Sequence, residues 1–141
     1  MKTVRFTIPG SPTGKGRPRS TRTGHHYTPK QTRDYELAVK AYFAGAYPGR
    51  PPWPAGVPLR LTVVAYVALP KSATQAERLA CEVRGVWATV KPDGDNILKI
   101  ICDALNGVAW HDDAQIVDMQ CRKWRTTGEE HIEVTIQEHE V

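Results

Sequence analysis

Cysteine is scarce in this sequence, which contains Cys81, Cys102 and Cys121. An odd number of widely spaced cysteines fits neither a disulfide framework nor the ligand spacing of a zinc site. We therefore predict three free thiols that pack as small apolar side chains in a reducing cytoplasm.

Long hydrophobic runs are also missing. No apolar stretch is long enough to span a membrane, and the basic N-terminus is not followed by the apolar core of a signal peptide. A phosphate-cradling Gly-rich loop and a nucleophile elbow are absent too. The remaining expectation is a single domain, residues 1–141, which is long enough to bury a real core.

Acidic residues are absent from the first quarter of the chain. Residues 1–33 hold eight Lys or Arg and no Asp or Glu, whereas residues 34–141 hold eleven basic and fifteen acidic side chains. A basic part beside a more acidic remainder is typical of a protein that holds a polyanion next to a metal-binding site. Because five of the fifteen acids lie between Lys91 and Gln115, we place the candidate site in that segment.

The hydrophobic pattern predicts an α+β domain with a mixed sheet of about four strands and about three helices. The predicted strands cover residues 3–8, 59–68, 115–124 and 131–137, and the predicted helices cover residues 28–46, 72–83 and 96–106. Residues 9–24 read as a Gly/Pro-rich loop with basic side chains, and loops of this length are usually functional or disordered.

Capping patterns predict where the three helices begin and end. The residues expected at these ends are Thr28 and Pro29 for the first helix, Ser72 for the second, and Asp95 or Asn96 with Gly107 for the third. The residues of the first helix expected to face the core are Tyr35, Ala38, Val39 and Tyr42.

Three aspartates from two segments could bind a hard divalent cation. Asp93 and Asp95 are two apart in an extended stretch, so their side chains face the same side, and Asp113 would return across the site from the next strand. Mg²⁺ is usually held by one or two carboxylates with water and substrate phosphate, and it lowers the pKa of bound water. Lys99 could then balance charge on the phosphate or orient the attacking water, and Asp112 is a further candidate ligand.

The same residues also fit a structure without a metal. Asp95 and Lys99 have the i,i+4 spacing of a helix surface pair, which contributes only some tenths of a kcal/mol. Asp93 suits the positive end of a helix dipole, and Asp112 with Asp113 could form a simple turn. Spacing alone therefore leaves both interpretations open.

Two neighbours of the second acidic segment are weaker candidates. His111 could be a ligand or a general base, but a single His beside a turn is more often solvated. Trp110 could be a stacking platform, but we assign it to the core.

Residues 91–118 resemble the RusA-type Holliday junction resolvases, a family of small endonucleases common in prophages and bacteria. The family pattern is Asp-x-Asp-Asn, an apolar helix with a Lys, Asp-Ala-Leu, a short aromatic loop and Asp-Asp-x-Gln. The residues that match it are Asp93-Gly94-Asp95-Asn96, Lys99, Asp103-Ala104-Leu105, Trp110 and Asp112-Asp113-Ala114-Gln115. The early strand, the loop from Lys15 to Arg19 and the Tyr27-Thr28-Pro29 segment also look like the phage branch.

This resemblance implies an α+β homodimer that binds four-way DNA junctions and makes paired nicks with Mg²⁺ or Mn²⁺. The catalytic aspartates of the family correspond to Asp93, Asp95 and Asp113, and its catalytic lysine corresponds to Lys99. Asp112 matches a neighbouring acid of the family pattern.

We therefore expect a Mg-dependent endodeoxyribonuclease of DNA recombination and repair that acts on branched DNA in the cytoplasm. The expected contacts to the DNA backbone, which fix position and not sequence, are Lys15, Arg17, Arg19 and Lys91. A twofold dimer suits a branched substrate with two symmetry-related strands.

Two other classes of function stay open. A non-catalytic protein that binds junctions or duplex DNA would not need the intact set of Asp93, Asp95, Asp113 and Lys99. A metal-dependent phosphatase acting on small nucleotides would not need the basic N-terminal part.

Overall fold

A computed structural model describes residues 2–17 and 19–140, apart from the side chains of Arg19 and Tyr27. The strands along these residues are β1 (Thr3–Pro9), β2 (Arg19–Ser20), β3 (His26–Tyr27), β4 (Leu59–Ala68), β5 (Ile116–Thr126) and β6 (His131–Glu138). The helices are α1 (Lys30–Ala46), α2 (Gln75–Val83), α3 (Gly94–Leu105) and the 3-10 helix Asp113–Gln115.

Four of the strands form one mixed sheet in the order β1-β6-β4-β5. Strand β4 is antiparallel to β6 and parallel to β5, so this largely apolar strand lies inside the sheet. The predicted α+β class, with about four strands and three helices, is confirmed. The loop expected over residues 9–24 differs in one respect, because β2 pairs with β3 in a small two-stranded sheet.

The core lies between one face of the sheet and helices α1 and α3. Alternate residues of the strands point into it, since successive side chains of a strand face opposite sides. The fully buried residues from β4 are Leu59, Leu61, Val63 and Ala65, and those from α3 are Ile97, Ile100, Ile101, Ala104 and Leu105. Both sets have the sequence spacing of a single buried face, and Trp110 is also fully buried, as predicted.

Helix α1 differs from its prediction at both its start and its buried face. It begins at Lys30, with Pro29 at the capping position and no capping hydrogen bond from a side chain. Tyr42 was expected inside but is 44% exposed, and Phe43 is buried instead. Phe43 follows buried Val39 by four residues, which keeps it on the same face of the helix.

The starts of α2 and α3 are also shifted from their predictions. Thr74 caps α2, because its hydroxyl accepts a hydrogen bond from the backbone N–H of Glu77, so the assignment to Ser72 is wrong. Helix α3 begins at Gly94 with Asp93 at the capping position, two residues earlier than expected. Gly107, which follows α3, has the positive φ of +77° that its predicted role requires.

Strand β5 is an edge strand of the four-stranded sheet. Residues 86–88 pair with its later part through two backbone hydrogen bonds of 2.8 Å, from Ala88 to Lys123 and from Arg125 to Val86. Among the described residues, the edge over 116–122 has no strand partner. Val117 and Met119 on that stretch are 61% and 46% exposed, and an exposed apolar edge favours pairing with another strand.

The thiols and the helices bear on two further predictions. All three cysteines are free, as expected; Cys102 is buried, and Cys81 and Cys121 are partly exposed. No helix in the described part of the chain combines the length and apolar character needed to cross a membrane.

Candidate active site

A cleft of about 580 Å³ lies between the basic N-terminal loop and the start of α3. One wall is residues 11–17, the other is residues 91–96, and the beginning of α1 contributes to the floor. Arg17, Lys91 and Asp93 all line it. The fold therefore brings predicted DNA-binding residues next to one of the predicted catalytic aspartates.

Asp93 occupies the N-terminal end of α3 without capping it. Its side chain makes no hydrogen bond to the helix; instead both of its carboxylate oxygens accept hydrogen bonds from Lys91 Nζ, at 2.9 and 3.0 Å. These bonds and the charge of Lys91, with a smaller effect of Lys123, hold the pKa of Asp93 below its ordinary value. The carboxylate is therefore ionised and half exposed at the cleft.

Asp95 and Lys99 lie one turn apart on α3, and both are exposed. In the part of the chain that the structure describes, neither has an ion-pair partner within 4.0 Å. The surface salt bridge that the i,i+4 spacing allows is thus not formed here. Both charges are free to meet a ligand.

Asp113 lies beyond the opposite end of α3. Its backbone N–H donates to the side-chain oxygen of Asn106 at 3.1 Å, and its Oδ1 accepts from the indole N–H of buried Trp110 at 2.7 Å. Trp110 thus fixes the carboxylate without needing to touch a ligand. Asn106 and Trp110 are supporting residues that the sequence pattern did not reveal as such.

Asp112 and Gln115 form a reciprocal cap on the 3-10 helix. The Asp112 carboxylate accepts from the backbone N–H of Ala114 at 3.0 Å, and the Gln115 side chain accepts from the N–H groups of His111 and Asp112. The prediction of Asp112 as a metal ligand therefore meets a competing structural role. An acid followed three residues later by Gln is the spacing of a capping box, so the sequence did carry this signal.

One chain does not bring the predicted metal ligands together. Helix α3 has twelve residues and is therefore about 18 Å long, and it separates Asp93 and Asp95 from Asp113. Among the described residues, no three His, Cys, Asp or Glu side chains lie close enough together to hold a metal ion. The expectation that Asp113 returns across the site within the same chain is not met.

The predicted DNA-binding residues differ in how accessible they are. Arg17 and Lys91 are exposed at the cleft. Lys15 is only 19% exposed, because Nζ lies 2.7 Å from Glu36 and 3.0 Å from Asp103. Burial lowers the pKa of Lys15, but these hydrogen bonds and charges outweigh it and raise the pKa. Arg19 belongs to β2, and its side chain lies outside the described residues.

Comparison with known families accounts for the order of these residues along the chain. The sequence profile described as "Endodeoxyribonuclease RusA" matches residues 9–137, which include all four predicted catalytic residues. The chain belongs to the RusA endodeoxyribonuclease family. The resemblance found in the sequence is thereby confirmed, and membership of the RusA family supports DNA-cleaving activity.

A curated relative extends this match along almost the whole length of the chain. It is "Uncharacterized protein YqaN" of Bacillus subtilis (strain 168), which is 34% identical to this chain over 143 residues. The alignment covers 98% of each of the two chains. The similarity therefore extends over the basic loop and the end of β6 as well as the RusA motif around α3.

Proposed function

We propose that this chain is a Mg²⁺-dependent endonuclease that resolves four-way DNA junctions by paired nicks, in DNA recombination and repair. The observation that carries this proposal is the family match over residues 9–137, within which Asp93, Asp95, Lys99 and Asp113 stand at the spacing of the motif. We propose the cytoplasm as the place where the protein meets this DNA.

The cleft residues suit a negatively charged backbone. Arg17 and Lys91 present cations at the cleft, and phosphate contacts of this kind position DNA without reading its sequence. The pair of Lys91 with Asp93 is exposed, with 84% and 48% of the two side chains accessible, and exposed pairs are weak. An arriving phosphate can therefore take Lys91 from Asp93 and free that carboxylate.

The donor chemistry fits a hard divalent cation, but a single chain supplies only part of it. Asp93 and Asp95 provide carboxylate oxygens at one end of α3, and Asp113 provides another at the far end. When bound, Mg²⁺, or Mn²⁺ in its place, polarises a phosphoryl oxygen and lowers the pKa of bound water. We infer that the complete ligand set comes from two copies of the chain.

The free edge of β5 offers a route to such a dimer. Antiparallel pairing of two such edges sets the beginning of each strand beside the later part of the other. The start of β5 follows Asp113 closely, whereas the later residue Cys121 lies beside the start of α3, since a Cβ added at Gly94 would meet the Cys121 sulfur at 3.7 Å. This arrangement carries Asp113 of one copy toward Asp93 and Asp95 of the other.

Within such a site the free side chains have distinct tasks. Lys99 lies one turn from Asp95 and faces solvent, so its ammonium can balance charge that develops on the phosphate. Trp110 keeps the Asp113 carboxylate oriented through its 2.7 Å hydrogen bond. Two symmetry-related sites in a twofold dimer suit two nicks on opposite strands of a junction.

A cleavage assay with matched substrates tests the proposal. A synthetic four-way junction and a linear duplex of the same sequence are incubated with the protein in Mg²⁺ and in excess chelator. We expect paired nicks on the junction in Mg²⁺ only. Equal cutting of the linear duplex would contradict structure selectivity, and cutting in chelator would contradict metal dependence. A protein that binds the junction tightly but never cuts it would be the non-catalytic alternative.

A further inference from the structure

Lys15 is held between two carboxylates from different helices. Its Nζ lies 2.7 Å from Glu36 Oε1 on α1 and 3.0 Å from Asp103 Oδ2 on α3. The three side chains are 19%, 17% and 34% exposed, so this cluster is largely shielded from solvent. An ammonium with two acidic partners at these distances has little capacity left for a phosphate.

The backbone beside Lys15 is anchored to the same two helices. The N–H of Lys15 donates to the carbonyl of Asn96 on α3 at 3.0 Å, and the N–H of Gly16 donates to the hydroxyl of Thr32 on α1 at 3.1 Å. Thr32 is 2% exposed. A Cβ at Gly16 would lie 2.6 Å from that hydroxyl, so the loop approaches α1 more closely than a side chain would allow.

This seated segment forms one wall of the cleft, and Arg17 leaves it on the exposed side. We propose that Glu36, Lys15 and Asp103 form a clamp that holds the loop so that Arg17 meets the DNA backbone beside Asp93. Lys15 is then a positioning residue and does not contact DNA. The partner named here rests on the proposed function, whereas the clamp itself does not.

The clamp and a direct DNA contact predict opposite effects of removing an acid. If Lys15 contacts phosphate, neutralising Glu36 or Asp103 releases it and removes repulsion, so DNA affinity rises. If the acids hold the loop, neutralising either one makes the loop more mobile. The loop must then become ordered when DNA binds, and the entropy lost in that step weakens binding. We expect junction affinity to fall about tenfold, as preorganisation is lost.

The experiment measures junction affinity in chelator, at several salt concentrations, for Glu36→Gln, Asp103→Asn and the control Asp34→Asn. Asp34 lies on the same helix two residues from Glu36 and is 61% exposed, and among the described residues its one ion pair is with Lys30 at 3.8 Å. We expect weaker binding for the first two variants and unchanged or slightly tighter binding for the control. Tighter binding by Glu36→Gln would overturn the clamp.

A double-mutant cycle separates positioning from a general loss of stability. If the clamp acts through Arg17, then Arg17→Ala should weaken binding less in the Glu36→Gln background than in the wild type. The log–log slope of junction affinity against salt concentration should also become shallower for Glu36→Gln, by the amount expected for the loss of about one phosphate contact. This change would occur although the variant keeps every Lys and Arg. Additive effects and an unchanged salt slope would contradict the proposal.

A readout without DNA keeps the clamp testable if the proposed function fails. Trypsin should cut the Lys15–Gly16 bond slowly in the native wild type and in Asp34→Asn, and at least several times faster in Glu36→Gln and Asp103→Asn, because local opening exposes it. Equal rates in all four proteins would refute the clamp. If the wild type does not prefer junctions over duplex, the proposed function is refuted. The rates of trypsin cleavage would then still decide whether the clamp exists.

Discussion

Gln115 offers a sharp test of how the Asp112–Asp113 turn is built. Its buried side chain makes four hydrogen bonds: it accepts from His111 and Asp112 at 2.9 and 3.1 Å, and donates to the carbonyls of Pro54 and Val57 at 3.1 and 3.0 Å. This one amide therefore joins the turn before β5 to the loop before β4. The variant Gln115→Ala removes all four bonds.

The magnitude follows from those contacts. At about 1 kcal/mol for each bond, the four hydrogen bonds together contribute about 4 kcal/mol to stability. The residue borders a surface depression of about 250 Å³, so water can reach part of the freed backbone and reduce the loss to about 2 kcal/mol. For a chain of this length, we expect Tm to fall by about 6–12 °C.

Thermal and urea unfolding of Gln115→Ala measure this directly, with exposed His111→Ala as the matched control. Gln115→Glu adds a second check, because its carboxylate faces two carbonyl oxygens, and this variant should recover stability as the carboxylate is protonated in acid. A Gln115→Ala protein with Tm within about 2 °C of the wild type would refute the role assigned to this network.

Three further predictions concern stability. Gly85→Ala should destabilise the protein by about 1–3 kcal/mol, because Gly85 has a φ of +81° and a Cβ there would lie 2.8 Å from the Trp124 ring. A Cβ at Gly45 in α1 would have no neighbour within 4 Å, so Gly45→Ala should be neutral or stabilising, and urea unfolding compares the two variants. Thr74→Ala should lower stability by about 1 kcal/mol while Ser72→Ala leaves it unchanged, since only Thr74 caps α2, and the reverse order would restore the cap to Ser72. Hydrogen bonds from His139 and Arg60 hold the pKa of Asp118 below 3.8. The stability that the ionised carboxylate contributes is therefore present above that pH and is lost as the pH falls through the lowered pKa. Acid unfolding below pH 4 should be less steep for Asp118→Asn than for the wild type.

Much of the fold could be predicted because it depends on local periodicity. The stripe Ile97, Ile100, Ile101 on α3 and the alternation in β4 specify which faces are buried before any partner is known. Helix starts were less predictable, since Ser72 and Thr74 are both competent caps and only the geometry of the chain decides between them. Tyr42 and Phe43 posed a similar choice, which the packing of α1 on the sheet resolves.

The sequence supplied candidate site residues, but it did not predict how they are arranged in space. The family resemblance placed Asp93 and Asp113 in one motif, and a helix between them was predicted. Neither observation showed that Asp113 stays beyond the far end of this helix, which is about 18 Å long. Charge counting likewise identified a basic loop, but not that Glu36 and Asp103 neutralise its Lys15. Contacts between distant parts of the chain leave no local pattern to read.

The central claim, an endonuclease site built from two copies, is tested most directly by mixing two inactive variants. Asp93→Asn and Asp113→Asn are co-expressed with different tags, and the mixed dimer is isolated and incubated with a four-way junction in Mg²⁺. In a shared site both substitutions fall in one of the two sites and leave the other intact. The account therefore predicts that the mixed dimer nicks the junction on one strand, while each variant alone does not. A mixed dimer as inactive as its parents would contradict the shared site.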